Sequence, residues 1–276
     1  MLSIDGKKYE WKYFPNGEIK FPDPDLVRFS SKEVIPIKWI FESNEEFVVL
    51  QVLVKHLREQ GFTRIYLDMP FCPYGQQDRP VKGQLFSFKY FAQILNDMEF
   101  EHVSFYDPHS LVMDCAIRHS QIQYLSLTKT LLDTLGYDLV LYPDNGAAKK
   151  YSEIYPDLPY RFGNKKRNLD TGAIIRYEVI AEPDDIKGKA VLIVDDLCMG
   201  GTTFREAAAA LKDMGAVTVG LVITHLMPQS LDFIKQAHTY GINQIFTYGE
   251  GVSSLVISKL TPEESKNIIT FTHWGC

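Results

Sequence analysis

Residues 191–204 read VLIVDDLCMGGTTF, and this stretch decides the fold class. The apolar run at 191–194 predicts a buried strand, and the small residues at 200–203 predict a tight loop that enters a helix. A strand, a loop and a helix in succession form the repeating unit of a parallel sheet. Because ligands of open parallel sheets bind beyond the carboxyl ends of the strands, Asp195 and Asp196 mark a candidate site.

The same alternation continues along the chain. Short β-branched and aromatic runs predict strands at residues 64–69, 102–106, 138–142, 190–194, 218–224 and 244–247. Amphipathic stretches predict helices at about 45–60, 86–98, 122–135 and 203–214. A helix, a strand and a His-bearing loop at 94–110 recur at 210–230, which favours two similar halves. We expect an α/β protein with two domains, 1–135 and 136–276, each a mainly parallel sheet flanked by helices.

Composition limits the partners of this chain. It has 276 residues and a formal net charge of −6, which gives no general attraction to nucleic acid or to an anionic membrane. No segment approaches the ~18 to 20 apolar residues of a membrane span, and the N-terminus lacks the apolar core of a signal peptide. The cysteines are far apart in sequence, which argues against a zinc site or a disulfide framework: Cys72, Cys115, Cys198 and Cys276. We expect a cytoplasmic protein that binds neither nucleic acid nor membrane.

Four of the predicted strands run into an Asp-bearing loop. The aspartates are Asp68, Asp107, Asp144 and the pair Asp195 and Asp196. Carboxylates at such strand ends are suited to Mg²⁺ or to ribose hydroxyls. Beyond the pair, the glycines and threonines at 200–203 predict a turn whose backbone N–H groups bind phosphate. The same four residues also fit an ordinary loop in which a threonine caps the helix.

The segment 191–204 resembles the phosphoribosyl diphosphate motif that type I phosphoribosyltransferases share with ribose-phosphate diphosphokinases. The resemblance implies two phosphoribosyltransferase-like domains. It also implies a ribose 5-phosphate site formed by Asp195, Asp196, Met199, Gly200, Gly201, Thr202 and Thr203.

Motifs of the N-terminal half favour the diphosphokinases over the transferases. PYGQQDR at 73–79 resembles an ATP-proximal segment that the transferases lack. YDPHS at 106–110 resembles the family's "D-x-H-[AS]" loop, which implies that His109 lies against the ATP phosphates and Mg²⁺. A single histidine after a strand would otherwise fit a polar loop. The first of these segments implies ATP contacts at Gln76, Gln77, Asp78 and Arg79.

FPNGE at 14–18 resembles a hairpin that reaches across a subunit interface and binds the adenine of a neighbour's ATP. The resemblance gives that role to Asn16 and Glu18. Without the other motifs, PNGE is an ordinary turn sequence, because proline and Asn-Gly set turn geometry by themselves.

Two segments of the C-terminal half complete the resemblance. PDNGA at 143–147 resembles the family's "P-D-x-G-[GA]" segment and makes Asp144 a candidate for ribose or Mg²⁺ contact. NKKR at 164–167 resembles, by its order and spacing, the family's catalytic flexible loop, which implies that Lys165 and Arg167 supply cations to the transferred diphosphate. Alone, a basic tripeptide fits a solvated surface run. The motifs occur in one fixed order over nearly the whole chain.

Two positions depart from the family pattern. Gln76 replaces a permanent cation of the ATP pocket and leaves Arg79 as the alternative, so we expect ATP binding to be weaker or differently arranged. Met199 replaces a carboxylate, and GGTT at 200–203 replaces the usual "T-[GA]-G-T". One side of the ribose phosphate therefore loses a carboxylate and a hydroxyl donor.

The resemblance implies transfer of the diphosphate of Mg·ATP to the anomeric hydroxyl of ribose 5-phosphate, with Mg²⁺ as the cofactor. It also implies a homo-oligomer whose ATP site is shared between subunits. Two alternatives stay open. One is a type I phosphoribosyltransferase that consumes the product, which the motif at 191–204 permits. The other is a catalytically silent, diphosphokinase-like regulatory subunit, motivated by Gln76 and Met199.

Overall fold

The computed structural model describes residues 1–24, 29, 33–125, 127–167 and 174–271, with the side chains of residues 167, 174 and 175 excepted. The chain divides into two compact units, Met1–Tyr124 and Leu125–Cys276. The expected boundary near residue 135 falls inside the second unit. The assignment of ATP to one unit and ribose 5-phosphate to the other stays a prediction.

The first unit is built around a mainly parallel sheet. Its strands are β1 (Leu2–Ile4), β2 (Lys7–Tyr9), β3 (Lys12–Tyr13), β4 (Ile19–Lys20), β5 (Ile35–Trp39), β6 (Ile65–Asp68), β7 (His102–Tyr106) and β8 (Ser120–Gln123), and its helices are α1 (Glu45–Glu59), α2 (Ser87–Asn96) and α3 (Val112–Ala116). The sheet order is β2-β1-β5-β6-β7-β8, with β5 to β8 parallel and β1 antiparallel to both neighbours. β3 and β4 form a separate hairpin.

Helix α1 shows why the sequence folds as it does here. Its buried residues recur at helical spacing, and two glutamates occupy its first turn, where they complement the helix dipole. Phe47 of this helix stacks on Trp39 of β5, with ring centroids 5.8 Å apart. The Trp39 indole also donates a hydrogen bond of 2.9 Å to buried Glu46. The apolar face and its one buried carboxylate thus fix α1 on the sheet.

The second unit carries a larger sheet. Its strands are β9 (Leu139–Tyr142), β10 (Tyr160–Arg167), β11 (Ile174–Ile180), β12 (Ala190–Cys198), β13 (Thr218–Leu226), β14 (Gln244–Tyr248) and β15 (Ile268–Phe271). Its helices are α4 (Lys129–Thr134), α5 (Asn145–Ile154), α6 (Pro183–Ile186), α7 (Thr202–Asp213), α8 (Leu231–Gln236), α9 (Val252–Ile257) and α10 (Pro262–Ser265). The sheet order is β11-β10-β9-β12-β13-β14-β15, and only β11 runs antiparallel to its neighbour.

Strands β9 and β12 are the topological switch point of this second sheet. From β9 the chain continues to β10 on one side, whereas from β12 it continues to β13 on the other. The two strands pair in parallel register, Val191 with Leu139 and Ile193 with Leu141. In sheets of this class, the loops that follow two such strands diverge, and ligands bind between them.

The structure confirms the α/β class and corrects two of the predicted elements. The predicted helix at 122–135 is wrong in its first half, because residues 120–123 pair with β7 as strand β8. The helix begins only after Thr128, whose hydroxyl caps it by accepting a bond of 3.1 Å from the Leu131 N–H. The strand predicted at 190–194 continues to Cys198. In the described parts of the chain, no helix is both long enough and apolar enough to cross a bilayer.

Candidate active site

Carboxylates of the second unit gather at the switch point. Asp144 is the second residue after the end of β9, and Asp195 lies on the neighbouring strand β12. The prediction that Asp195 and Asp196 occupy a loop is wrong, because β12 stays paired with β13 as far as Cys198. The extension places both aspartates on the strand itself, where burial and the charge of Asp196 raise the pKa of Asp195.

Asp144 is held by a helix and by a lysine. Its Oδ1 atom accepts a bond of 2.9 Å from the Ala147 N–H and so caps α5. Its Oδ2 atom lies 2.5 Å from the Lys165 ammonium. Burial alone would raise the pKa of Asp144, but Lys165 and the N–H groups of Ala147 and Gly146 outweigh burial and hold that pKa below its ordinary value. Asp144 is therefore ionised at neutral pH.

Asp195 has the opposite electrostatic environment. Burial first, then the charges of Asp196 and Asp144, raise its pKa well above the ordinary value, and Lys165 offsets this only in part. Its Oδ1 atom accepts a bond of 3.0 Å from the Asp196 N–H. Three carboxylates thus act on one another beside a single lysine. Such an excess of negative charge is suited to a divalent cation or to hydroxyl donors of a sugar.

The predicted flexible loop at 164–167 lies in a strand. The residues belong to β10, which forms an antiparallel hairpin with β11, so the loop assignment is wrong. Lys165 points to Asp144 and is largely shielded, with 17% of its side chain exposed. Lys166 points to the opposite face of the strand and is exposed. For this residue, the alternative of a solvated basic surface run is confirmed. The side chain of Arg167 lies outside the described part of the chain.

Tyr177 of β11 is a residue of this site that the sequence motifs do not identify. Its hydroxyl donates a bond of 3.3 Å to the carbonyl oxygen of Pro143. Burial first, then Asp144 and Asp195, raise the pKa of Tyr177, so it stays protonated and a donor. The signal in the sequence is weak, because nine residues separate Tyr177 from the NKKR segment and only the hairpin register brings them together.

The predicted phosphate-binding turn connects β12 to α7. Met199 and Gly200 are exposed there, and Gly201 is the N-cap of the helix with φ +74°. A Cβ atom on Gly201 would lie 2.0 Å from the Phe233 ring, so both backbone conformation and packing require glycine. The alternative of a threonine cap is wrong, because Thr202 and Thr203 are the first two residues of the helix. Whether the turn binds phosphate stays a prediction.

In the first unit, the predicted ATP segment lies against the histidine loop. Gly75–Gln77 forms one 3₁₀ turn, and a Cβ atom on Gly75 would lie 1.5 Å from the Met113 Cε atom and 3.6 Å from the His109 Cβ atom. Gln77 accepts a hydrogen bond from the Ser87 hydroxyl, and Gln76 is exposed. The structure therefore brings Gln76, Gln77 and His109 into one region.

Charged residues lie close in sequence to these segments. The Arg79 guanidinium, 82% exposed, lies 3.9 Å from the Asp78 carboxylate. Asp107 belongs to the histidine loop, is buried and adopts φ +40°, a conformation uncommon for residues other than glycine. Asp68 is the last residue of β6 rather than part of a loop. It accepts a bond of 2.9 Å from the Ser104 hydroxyl and lies 3.6 Å from the Lys38 ammonium.

Asn16 and Glu18 lie in the turn of the β3–β4 hairpin. The Phe14 N–H donates to the Glu18 carbonyl at 2.8 Å, and the Asn16 side chain accepts from the Glu18 N–H at 3.2 Å. The hairpin presents exposed aromatic side chains, Tyr13 and Phe14, of which Phe14 lies under the Lys20 ammonium. The predicted turn is thus present, and its contact with the ATP of a neighbouring subunit stays a prediction.

Comparisons with known proteins agree with this architecture. Residues 157–253 match the family described as phosphoribosyl transferase domain. A ribose-phosphate pyrophosphokinase of Pyrococcus furiosus is 31% identical over 235 residues, which cover 80% of this chain and 82% of the relative. The protein of that name from Saccharolobus solfataricus is 26% identical over 237 residues, which cover 82% of this chain and 79% of the relative.

A solved structure gives the same overall comparison. The crystal structure of phosphoribosylpyrophosphate synthetase from Mycobacterium smegmatis has a TM-score of 0.70 and 20% identity, over 95% of this chain and 85% of that one. At that identity the likeness shows a shared fold. Together with the 31% identity to the Pyrococcus protein, it confirms the resemblance inferred from the motifs. This chain belongs to the ribose-phosphate pyrophosphokinase family.

Proposed function

We propose that this protein transfers the diphosphate group of Mg·ATP to the anomeric hydroxyl of ribose 5-phosphate, giving 5-phosphoribosyl 1-diphosphate and AMP. The observation that carries the proposal is the group of three carboxylates and one lysine at the switch point of the second sheet. It lies on a chain whose relatives are named ribose-phosphate pyrophosphokinase. A turn with exposed residues Met199 and Gly200, at the start of a helix, follows strand β12.

In this proposal, the second unit binds the sugar. Asp195 and Asp196 accept hydrogen bonds from ribose hydroxyls, and the backbone of residues 199–203 receives the 5-phosphate, with Met199, Gly200, Gly201, Thr202 and Thr203 around it. A bound hydroxyl donor would favour the ionised form of Asp195, whose pKa is raised in its absence. The open space at the position of a Gly200 Cβ atom leaves the backbone accessible to a phosphate.

Residues of the first unit bind ATP. The 3₁₀ turn with Gln76 and Gln77, the adjacent Asp78 and Arg79, and His109 are the proposed contacts. Asn16 and Glu18 are proposed to reach the ATP of a neighbouring subunit, which makes the active form a homo-oligomer. A cytoplasmic location is part of the same proposal. Sedimentation tests the oligomer, because a fully active monomer would contradict a shared ATP site.

The residues fit a magnesium ion. Among the described residues, no three His, Cys, Asp or Glu side chains form a ready-made metal cage. Mg²⁺ does not need one, since it keeps several waters and binds through one or two carboxylates and substrate phosphates. Asp144, ionised and next to Asp195, is the proposed ligand in the second unit, and His109 in the first. The ion would neutralise charge on the diphosphate.

The reaction asks little covalent chemistry of the protein. The anomeric oxygen attacks the β-phosphorus of ATP, the bond from that phosphorus to the bridging oxygen of the α-phosphate breaks, and AMP leaves while the hydroxyl proton passes to solvent. Positioning and fixed cations lower the barrier of such a transfer. Lys165 must leave Asp144 to reach the diphosphate, and Arg167 is the second proposed cation. Displacement of the lysine by a metal at Asp144 would free it.

One assay tests the proposal against its alternatives. Purified protein is incubated with Mg·ATP and ribose 5-phosphate, and AMP and phosphoribosyl diphosphate are measured. We expect equal amounts of both products. Base exchange with phosphoribosyl diphosphate in the absence of synthesis would instead identify a phosphoribosyltransferase. Absence of both reactions would identify a silent regulatory subunit.

A further inference from the structure

The hairpin register places a tyrosine beside the proposed catalytic lysine. Lys165 of β10 and Tyr177 of β11 are direct partners across the antiparallel pair. Partners in such a pair point to the same face of the sheet, and so does Gly163, two residues before Lys165. One face of the hairpin therefore carries the lysine, the tyrosine and a bare stretch of backbone. The Lys165–Asp144 ion pair shows that this face is turned to the carboxylates.

Tyr177 reaches across one strand to the next. The sheet order is β11-β10-β9, and the Tyr177 hydroxyl on β11 contacts the Pro143 carbonyl oxygen, immediately after β9, at 3.3 Å. It passes over Gly163 of β10, where a Cβ atom would lie 2.0 Å from the hydroxyl oxygen and 2.8 Å from the same carbonyl. Gly163 therefore provides the space in which the tyrosine connects the outer strand to the end of β9.

The same unit contains a second tyrosine packed in this way, which serves as an internal comparison. A Cβ atom on Gly220 would lie 2.2 Å from the Tyr137 hydroxyl, which contacts Gln244 Oε1 at 3.3 Å. Tyr137 and Gln244 lie where β9 and β14 begin, whereas the carboxylates lie where β9 ends. Burial alone raises the pKa of Tyr137 to about 12, whereas Asp144 and Asp195 add to burial at Tyr177. Of these two tyrosines, Tyr177 is the one that combines this packing with the carboxylate cluster.

We propose that Tyr177 is a positioning residue that acts through Lys165. By tying β11 to the carbonyl of Pro143, it fixes β10 between the two and so sets the lysine ammonium at Asp144. The pairing of β10 with β9 ends at Phe162, so without that tie the part of the hairpin that carries Lys165 can shift, and the lysine loses its defined starting position for contact with the diphosphate. This inference rests on the proposed function for the role of Lys165, but the geometry at Asp144 can be tested separately.

The kinetic test compares Tyr177→Phe with Tyr137→Phe, which removes an equivalent hydroxyl at the other end of the sheet. The loss of one net hydrogen bond and of its positioning should lower kcat about fivefold to tenfold in Tyr177→Phe. The KM values should stay within about twofold, because the tyrosine is not proposed to touch either substrate. Tyr137→Phe should keep the wild-type kcat. An unchanged kcat in Tyr177→Phe, or an equal loss in both variants, would overturn the proposal.

A double-mutant cycle separates positioning from general destabilisation. In a Lys165→Met background, Tyr177→Phe should have no further effect on kcat, because the group through which it acts is gone. Equal fold losses in both backgrounds would show that Tyr177 acts by another route and would overturn the proposal. Gly163→Ala supplies a second variant, because the added methyl group would occupy the space over Gly163 in which the Tyr177 ring lies. It should reproduce the kinetic defect, whereas Gly220→Ala should alter stability alone.

A readout without catalysis keeps the two proposals distinguishable. In protein labelled with ¹⁵N-lysine, the ion-paired Lys165 ammonium should give a slowly exchanging NMR signal, identified by its loss in Lys165→Met. Tyr177→Phe should weaken or abolish this signal, and Tyr137→Phe should retain it. If wild-type protein forms no phosphoribosyl diphosphate but the signals behave in this way, the proposed function fails and the positioning role stands. A signal that persists in Tyr177→Phe would overturn the positioning role.

Discussion

The Lys165 ammonium lies 2.5 Å from the Asp144 carboxylate, so a proposed catalytic cation is held by a proposed metal ligand. The pair joins strand β10 to the start of α5, whose N-terminus Asp144 also caps. Because Asp144 cannot bind Lys165 and a metal with the same oxygen, the two cations compete for it. This competition links metal binding to the release of the lysine.

Lys165 should matter for turnover, and its neighbour should not. Removing one donor that stabilises the transferred group costs on the order of 10²- to 10³-fold in rate, so we expect such a fall in kcat for Lys165→Met. Lys166→Met removes the same charge from the opposite, exposed face and should change kcat by less than about threefold. Steady-state kinetics with both variants checks this. A similar loss in both would mean that only net charge matters.

The same pair predicts an effect on metal binding. Lys165→Met removes the cation that occupies the Asp144 carboxylate, so Mg²⁺ or Mn²⁺ should bind to the variant more tightly than to the wild type. The expected gain in affinity is about threefold to tenfold, which corresponds to the free energy of one partly exposed ion pair. Titration calorimetry in the absence of substrates measures this directly. Weaker metal binding in Lys165→Met would separate the metal site from Asp144.

Asp195→Asn should lower the turnover and raise the stability of the protein. The pKa of Asp195 is higher in the folded state than in the unfolded state. The protein therefore loses stability as the pH rises from the unfolded-state pKa of this group through its folded-state pKa. The amide resembles the protonated acid and avoids that loss. At pH 8 we expect a melting temperature higher by about 2–4 °C per kcal/mol gained, and little difference near pH 4.

Thermal unfolding at both pH values checks the Asp195 prediction, with exposed Asp157→Asn as the control that should not change. The asparagine variant should also lose most of its turnover if Asp195 binds the sugar. Destabilisation at pH 8 would show that ionised Asp195 is stabilised by a partner rather than strained.

The turn after β12 offers a matched pair of glycines. Gly201→Ala introduces a methyl group at φ +74° and against the Phe233 ring, which should cost about 2–4 kcal/mol of unfolding free energy. Gly200→Ala meets open space within 4 Å and should leave stability within about 0.5 kcal/mol. Denaturant titration measures both. Equal stability of the two variants would contradict the described turn.

Gln76 offers a gain-of-function test. The family pattern has a permanent cation where this chain has an exposed glutamine, next to Gln77 and the histidine loop. Gln76→Arg should lower the KM for ATP by about threefold to tenfold, since charge-assisted bonds to phosphate are roughly twice as strong as neutral ones. The KM for ribose 5-phosphate should not change. A fall in both, or in neither, would remove Gln76 from the ATP site.

The sequence is a good guide where one residue pattern decides the structure. The run HVSFY at 102–106 has the alternation of a half-buried strand, and β7 has those bounds. The Gly and Thr residues at 200–203 predict the start of α7 within one residue. In both places, local preference and tertiary packing agree.

The sequence is a poor guide where partners far apart in the chain decide. Residues 122–135 have a helical pattern, but residues 120–123 pair with β7 and form strand β8 instead. The polar segment at 164–167 looks like a loop, yet pairing with β11 makes it a strand. Tyr177 carries no motif of its own, and its place opposite Lys165 depends on a hairpin register that composition does not reveal.

The proposed reaction moves a diphosphate intact from ATP to the sugar. ATP labelled with ³²P at its β-phosphorus, incubated with Mg²⁺, ribose 5-phosphate and the purified protein, shows where that group goes. We expect the label in phosphoribosyl diphosphate, in equal amount to the AMP formed, and Lys165→Met should form it at least about 100-fold more slowly. Label that remains in ADP or ATP, with no labelled sugar, would overturn the proposed function.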